Sequence, residues 1–141
     1  MKVRSIRLSD YAAVSSLLEE VLSNECYADT VQVLAKQLAW DSELILVAED
    51  LSNQTIAGVI IGTIDEHNKG YYYRIAVARE HQRKGIGKML IKALKRKFIE
   101  RKVRKIMITV DAHNKPTLPL YESLGYSKED FTEAKLKIAN E

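Results

Sequence analysis

The chain has 141 residues, 46% hydrophobic and 29% charged, with six glycines and two prolines; that is the make-up of one ordinary globular domain and excludes collagen-like, disordered and linker-rich architectures. Its longest apolar runs, such as Ile56 to Ile64, hold about nine residues against the roughly 20 that span a bilayer, and the amino end Met1-Lys2-Val3-Arg4-Ser5-Ile6-Arg7 has no apolar secretion core. One cysteine and no Cys/His cluster exclude an internal disulfide and a structural zinc, so residues 1–141 read as a single cytoplasmic domain without a metal or a membrane partner. The net charge of +3 is unevenly spread: Arg83 to Lys105 holds eleven of the 22 basic residues and one acid, Glu100, leaving about +10 there and about −7 elsewhere.

In chain order, Val3 to Leu8 predicts a strand, and Ser9 then caps a helix with Val14, Leu17, Leu18, Val21 and Leu22 on one face. Asp29 or Thr30 opens a second helix that carries Val31, Leu34, Ala35 and Leu38 to near Trp40 and Asp41. Leu44 to Ala48 and Thr55 to Ile64 are strands around the turn residues Asp50 to Gln54, and a turn at His67 to Gly70 leads into Tyr71 to Val77. Those three strands predict an antiparallel meander.

From Gly85 to about Lys102 the apolar residues Ile86, Met89, Leu90, Ala93, Leu94 and Phe98 lie on one side of a helix whose other side is basic. Lys105 to Val110 is again a strand, so the helix is a right-handed crossover between two parallel strands. A short helix near Leu118 to Leu124, stopped by Gly125, and a strand or two from Tyr126 to Ile138 complete the chain. The fold class is α+β, a mixed and largely antiparallel sheet with one parallel βαβ unit and helices on both faces.

Gln82-Arg83-Lys84-Gly85-Ile86-Gly87-Lys88 stands where the strand ending at Val77 meets the basic helix. Glycines let the backbone approach a ligand, and the open N–H groups at a helix start favour phosphate. It is not a Walker loop, since Gln82 replaces the first glycine and Met89 follows Lys88, nor a dinucleotide fingerprint, since Leu90 holds the third glycine position.

Gln82-x-x-Gly85-x-Gly87 after Ile75-Ala76-Val77 resembles the acetyl-CoA signature of the GNAT superfamily of N-acetyltransferases, Arg/Gln-x-x-Gly-x-Gly/Ala. Asn114 followed by Leu120-Tyr121-Glu122-Ser123-Leu124-Gly125-Tyr126 resembles that family's second segment, and the order of elements matches over essentially the whole chain. The resemblance implies acetyl-CoA wedged between the strands ending near Val77 and Val110. Backbone groups of Ile75, Ala76 and Val77 then meet the pantetheine arm, amides from Arg83 to Lys88 hold the pyrophosphate, and Arg83, Lys84 and Lys88 add charge. Gln82, Gly85, Ile86, Gly87, Asn114 and Tyr121 complete the implied acetyl-CoA site. Arg79, Arg83 and Thr117 stand where the family often has Pro, Gly and Ala, without loss of a needed amide. Pro119 requires the last helix to begin near Thr117 or Leu118.

The implied reaction is direct attack of a primary amine on the thioester. An ammonium pKa near ~10 makes the neutral amine cost roughly 4 kcal/mol near neutral pH. A Glu serves as base in the histone-acetyltransferase branch, but Tyr71 holds the equivalent position here, which leaves Asp65 and Glu66 as candidates. Tyr121 matches the tyrosine that protonates the leaving thiolate in many relatives; Tyr71 and Tyr73, on one strand face by alternation, line the acceptor side. Cys26 has no His placed to activate it, and His81 and His113 flank the motif segments. A catalytically silent acyl-CoA sensor and a nucleic-acid module on the basic face are the rival readings. The latter lacks aromatic residues interleaved with its charges, which makes nucleic acid the weaker partner. The acceptor itself is not legible, and a monomer or a homodimer satisfies the sequence equally.

Overall fold

The computed structural model describes residues 1–132. Its strands are β1 (Lys2–Ser5), β2 (Ile45–Asp50), β3 (Thr55–Ile64), β4 (Lys69–Val77), β5 (Lys105–Thr109) and β6 (Phe131–Thr132), hydrogen-bonded in that order as one six-stranded sheet. The helices are α1 (Tyr11–Val21), α2 (Asn24–Asp41), α3 (Ile86–Glu100) and α4 (Leu118–Glu122). β1 to β4 form the antiparallel meander and β4 pairs β5 in parallel across α3, as expected. A second parallel ladder joins Ile108 and Thr109 to Phe131 and Thr132. The expected strand from Tyr126 is confined to these two residues within the described part, and its remainder, 133–138, lies outside the described residues.

Each sheet face buries its own core. Tyr72, Ile75, Leu90, Leu94, Phe98 and Tyr121 belong to the cluster under α3 and α4, and Val14, Leu18, Leu34, Val59, Ile61 and Tyr73 to the one under α1 and α2. Burying one such side chain is worth about 1.5–3 kcal/mol.

Three boundaries differ from expectation. β1 ends at Ser5, and Leu8–Asp10 is a short 3-10 turn, so Ser9 does not cap α1. Asp10 organises that entry instead: its carboxylate accepts from the Arg7 amide at 2.7 Å and from Arg4 at 2.7 and 3.0 Å. α2 begins at Asn24, because Ser23 accepts the Cys26 amide at 3.2 Å. Its buried stripe is therefore Cys26, Thr30, Leu34 and Gln37, while Ala35 is exposed.

Candidate active site

A β-bulge opens the sheet. Ile61 pairs Arg74 and Gly62 pairs Tyr72, so Tyr73 is an extra residue in β4, which bends the strand. β4 accordingly pairs β5 only from Lys69 to Tyr72, and beyond Tyr72 the two strands part. The bulge also sets which way side chains point. Tyr72 and Ile75 lie on the α3 side, whereas Tyr73 packs under α1 and α2 and Arg74 donates to Thr30 of α2 at 3.0 Å.

The gap is a groove of about 650 Å³. Ile75, Ala76 and Val77 form one wall, Pro116, Thr117 and Leu120 the other, and Gln82, Arg83, Gly85, Ile86, Gly87 and Lys88 surround the mouth. His81, beside the motif in sequence, also reaches it, as does Val21, which the sequence did not signal, since it reads as an ordinary apolar position of α1. At the split edge of β4, the Tyr73 carbonyl accepts from Asn114 at 2.9 Å and the Val77 carbonyl from Gln82 at 2.9 Å. Strand alternation leaves the N–H and C=O of Ile75 between them, facing the gap. Gln82 is thus a pin on the strand end.

At the mouth, Arg83 and Gly85 both have left-handed backbone, with φ of 64° and 82°. Gly85 is the α3 N-cap and no side chain caps that helix, so the amides of its first turn stay open at the positive end of the helix dipole. A side chain at Gly85 would meet nothing within 4 Å, so the glycine is needed for its backbone angle. At Gly87 the demand is spatial, because a Cβ there would lie 3.0 Å from Leu120 of α4. Arg83, Lys84 and Lys88 are exposed around this turn, and Lys84 does not line the groove.

Inward of the groove, where β4 and β5 divide, is an inner end built from buried side chains; Arg74, Asn114 and Tyr121 are not among the residues that line the groove itself. Asn114, 4% exposed, donates to the Tyr73 carbonyl and, at 2.7 Å, to the Thr109 carbonyl, bridging β4 to β5 where they divide. Its side-chain oxygen accepts from Arg74, which also bonds Asp111 at 3.2 and 3.3 Å and the Tyr73 hydroxyl at 3.2 Å. Burial alone would lower the Arg74 pKa, but Asp111, Tyr73 and Cys26 hold it above its ordinary value. Burial pushes the Asp111 carboxyl up, and Arg74 together with the His113 and Asn114 amides outweighs this and holds it below the usual range. Arg74 was missed in the sequence because β4 then reads as an uninterrupted strand.

α4 starts at Leu118 with Pro119 in its first turn, as Pro119 required. Tyr121, 2% exposed, stacks against Tyr72 at 5.4 Å, and its hydroxyl has no hydrogen-bond partner among the described residues. Burial and then Tyr126 push that hydroxyl's pKa up, and Arg74 opposes them. Tyr71 and Tyr73 have different partners. The Tyr71 hydroxyl donates to Asp65 at 2.8 Å, and burial and that carboxylate push it up to about 12. Burial pushes Tyr73 up and Arg74 opposes it.

Asp65 also accepts the His67 and Lys69 amides at 2.9 Å; burial raises its pKa, but these donors and Tyr71 bring it below the usual range, which makes it a weak base. His81 lies 3.8 Å from Asp50 and His113 3.7 Å from Asp29. Cys26 is buried against Thr30 at 3.8 Å. Among the described residues no helix is long and apolar enough to cross a membrane, and no group of three or more metal-ligating side chains gathers.

Residues 11–126 match the family model described as "Acetyltransferase (GNAT) family". A protein of Yersinia pestis (strain Pestoides F) named "Acetyltransferase" is 32% identical over 130 residues, covering 92% of this chain and 90% of its own. Among solved structures, the PaiA N-acetyltransferase of Thermoplasma acidophilum in complex with coenzyme A superposes with a TM-score of 0.76 at 19% identity, over 94% of this chain and 92% of that one. An aminoglycoside 6'-N-acetyltransferase of Acinetobacter haemolyticus does so with a TM-score of 0.70 at 17% identity, over 99% and 97%. The split sheet, the glycine turn at its mouth and these likenesses agree: the chain belongs to the GNAT family of acetyltransferases, enzymes that use acetyl-CoA.

Proposed function

We propose that this enzyme, a single domain over residues 1–141, transfers the acetyl group of acetyl-CoA to a primary amine by direct attack on the thioester. The observation that carries the reading is one groove that runs from the uncapped N-terminus of α3 along the open peptide of Ile75, with Pro116, Thr117 and Leu120 as its far wall. The amides from Arg83 to Lys88 hold the pyrophosphate, with charge from Arg83, Lys84 and Lys88. Ile75, Ala76 and Val77 align the pantetheine arm. Gln82 and Asn114 shape the groove by holding the Val77 and Tyr73 carbonyls.

Tyr121 is the general acid. A hydroxyl without a partner is free to turn toward the departing sulfur, and a CoA thiol of pKa about 8.5 leaves more readily when protonated. Tyr71 and Tyr73 face the acceptor as walls, since both hydroxyls are already engaged. With Asp65 held low, the ammonium proton passes to solvent.

The test is release of free CoA from acetyl-CoA across a panel of small-molecule amines, polyamines, aminoglycosides and peptide N-termini. Tyr121→Phe, assayed with the best acceptor, keeps the ring and should lose roughly 10²-fold in turnover, about 2.7 kcal/mol, with the Michaelis constant for acetyl-CoA nearly unchanged. Wild-type turnover in the variant removes Tyr121 from the chemistry.

A further inference from the structure

Two residues that line the groove have no part in the reading above, Val21 and His81. Three side chains along the groove carry an ionisable group, those of His81, Arg83 and Lys88, and of these residue types only histidine changes charge between pH 5 and 8. His81 ends the short 3-10 turn Arg79–His81 that leads from β4 into the Gln82 to Lys88 segment, so it meets the groove beside the open amides of α3.

The imidazole sits in a half-buried frame. Its side chain is 12% exposed, with Nε2 3.8 Å from an oxygen of Asp50 at the end of β2 and 3.9 Å from one of Glu80. Nδ1 has no partner among the described residues. Asp50 is itself held by the turn after β2, accepting from the Ser52 amide at 3.0 Å and from the Asn53 side chain at 3.2 Å. Glu80 is 81% exposed, and water weakens its field. Of the other charges around the ring, Glu20 of α1 meets the Arg79 amide at 3.4 Å, and Arg79, Arg83, Lys84 and Lys88 are exposed.

We propose that His81, in its protonated form, is a ligand-binding residue that donates from Nδ1 to the pyrophosphate of acetyl-CoA. This rests on the reading that the amides from Arg83 to Lys88 hold that pyrophosphate. Doubly protonated, the ring has a donor at each nitrogen, so Nε2–H faces Asp50 while Nδ1–H is left for an anion. The neutral ring has one donor, for which Asp50 competes. An anion brought beside an imidazole favours the charged form, so the ligand binds with uptake of protons and its affinity falls as the pH rises. A cradle of main-chain amides alone has no such dependence.

The probe is 3'-dephospho-CoA, which keeps the pyrophosphate but lacks the phosphomonoester that itself titrates at about pH 6. Calorimetry from pH 5.5 to 8.5, in buffers of different ionisation enthalpy, gives its affinity and the protons taken up by wild type, His81→Gln and His81→Lys. Wild-type affinity should fall about 10-fold across that range, with proton uptake near neutral pH. His81→Gln should bind at the weaker, high-pH level throughout and take up no proton, and His81→Lys, charged over the whole range, should lose the pH dependence as well. If His81→Gln does not fold, His81→Asn carries the same comparison. Proton uptake that persists in the glutamine or asparagine variant overturns the proposal, as does a wild-type affinity that does not change with pH, a result that needs no variant. Failure of both 3'-dephospho-CoA and acetyl-CoA to bind the wild-type protein at any pH is a separate outcome that removes the underlying site assignment.

Discussion

At the mouth of the groove the exposed turn from Gln82 to Lys88 offers main-chain amides, whereas the point where β4 and β5 divide is held by buried side chains drawn from α2, β4 and the loop after β5. The mouth needs backbone angles at Arg83 and Gly85 and little else from its side chains. The inner end needs Arg74, Asn114 and Asp111 together, since each satisfies another's hydrogen-bonding groups. Substitutions at the mouth should therefore act on affinity, and those at the inner end on the fold and the chemistry.

The largest contrast is expected from Asn114→Ala, which leaves two strand carbonyls and one face of a buried guanidinium without partners. It should cost about 3–5 kcal/mol of stability and roughly 10 °C in melting midpoint, measured by calorimetry. A loss below about 1 kcal/mol would mean that the strand division is held elsewhere. Gly87→Glu tests the other end. Bulk against Leu120 and a negative charge beside the open amides should weaken acetyl-CoA binding about 100-fold, or about 2.7 kcal/mol, with most of the melting temperature retained. Lys95→Gln with Arg96→Gln, away from the turn, is the control; equal losses from both variants would show that diffuse charge holds the ligand.

The smallest effect is one of pH. The folded pKa of Asp111 lies below its unfolded value, so its contribution is complete above about pH 4 and is lost as the pH falls through the folded pKa. Discounted for solvent access, it amounts to about 1 kcal/mol or less. Acid unfolding curves of Asp111→Asn should be flatter than wild type below pH 4, and parallel curves would show that the carboxylate does not support the inner end.

The sequence made the mouth legible because its signal is local: Gln82, Gly85 and Gly87 lie within six residues, and Gln82 and Gly85 act on their own stretch of backbone, although the close approach of Leu120 to Gly87 was not readable. The meander, the crossover helix and the start of α4 were legible for the same reason, through alternation, periodicity and one proline. The start of α2 was readable in principle, since Ser23 precedes the helix, but Asp29 and Thr30 offered a competing cap. Arg74 had no such signal. Its burial depends on an extra residue at Tyr73, on Thr30 forty-four positions earlier and on Asn114 forty positions later, and strand alternation alone would aim it at the opposite face of the sheet.

The extra residue in β4 also constrains how a protein of this kind can change over generations. With alternation continued regularly from Tyr72, position 74 would project beside Tyr72 into the apolar cluster under α3, where an unpaired guanidinium would be strongly destabilising. The buried place of the arginine on the α2 side therefore depends on the irregularity. A single-residue deletion near Tyr73 would not be repaired by restoring any one side chain. The extra residue and the buried charge are thus structurally coupled, and neither can be changed without consequence for the other.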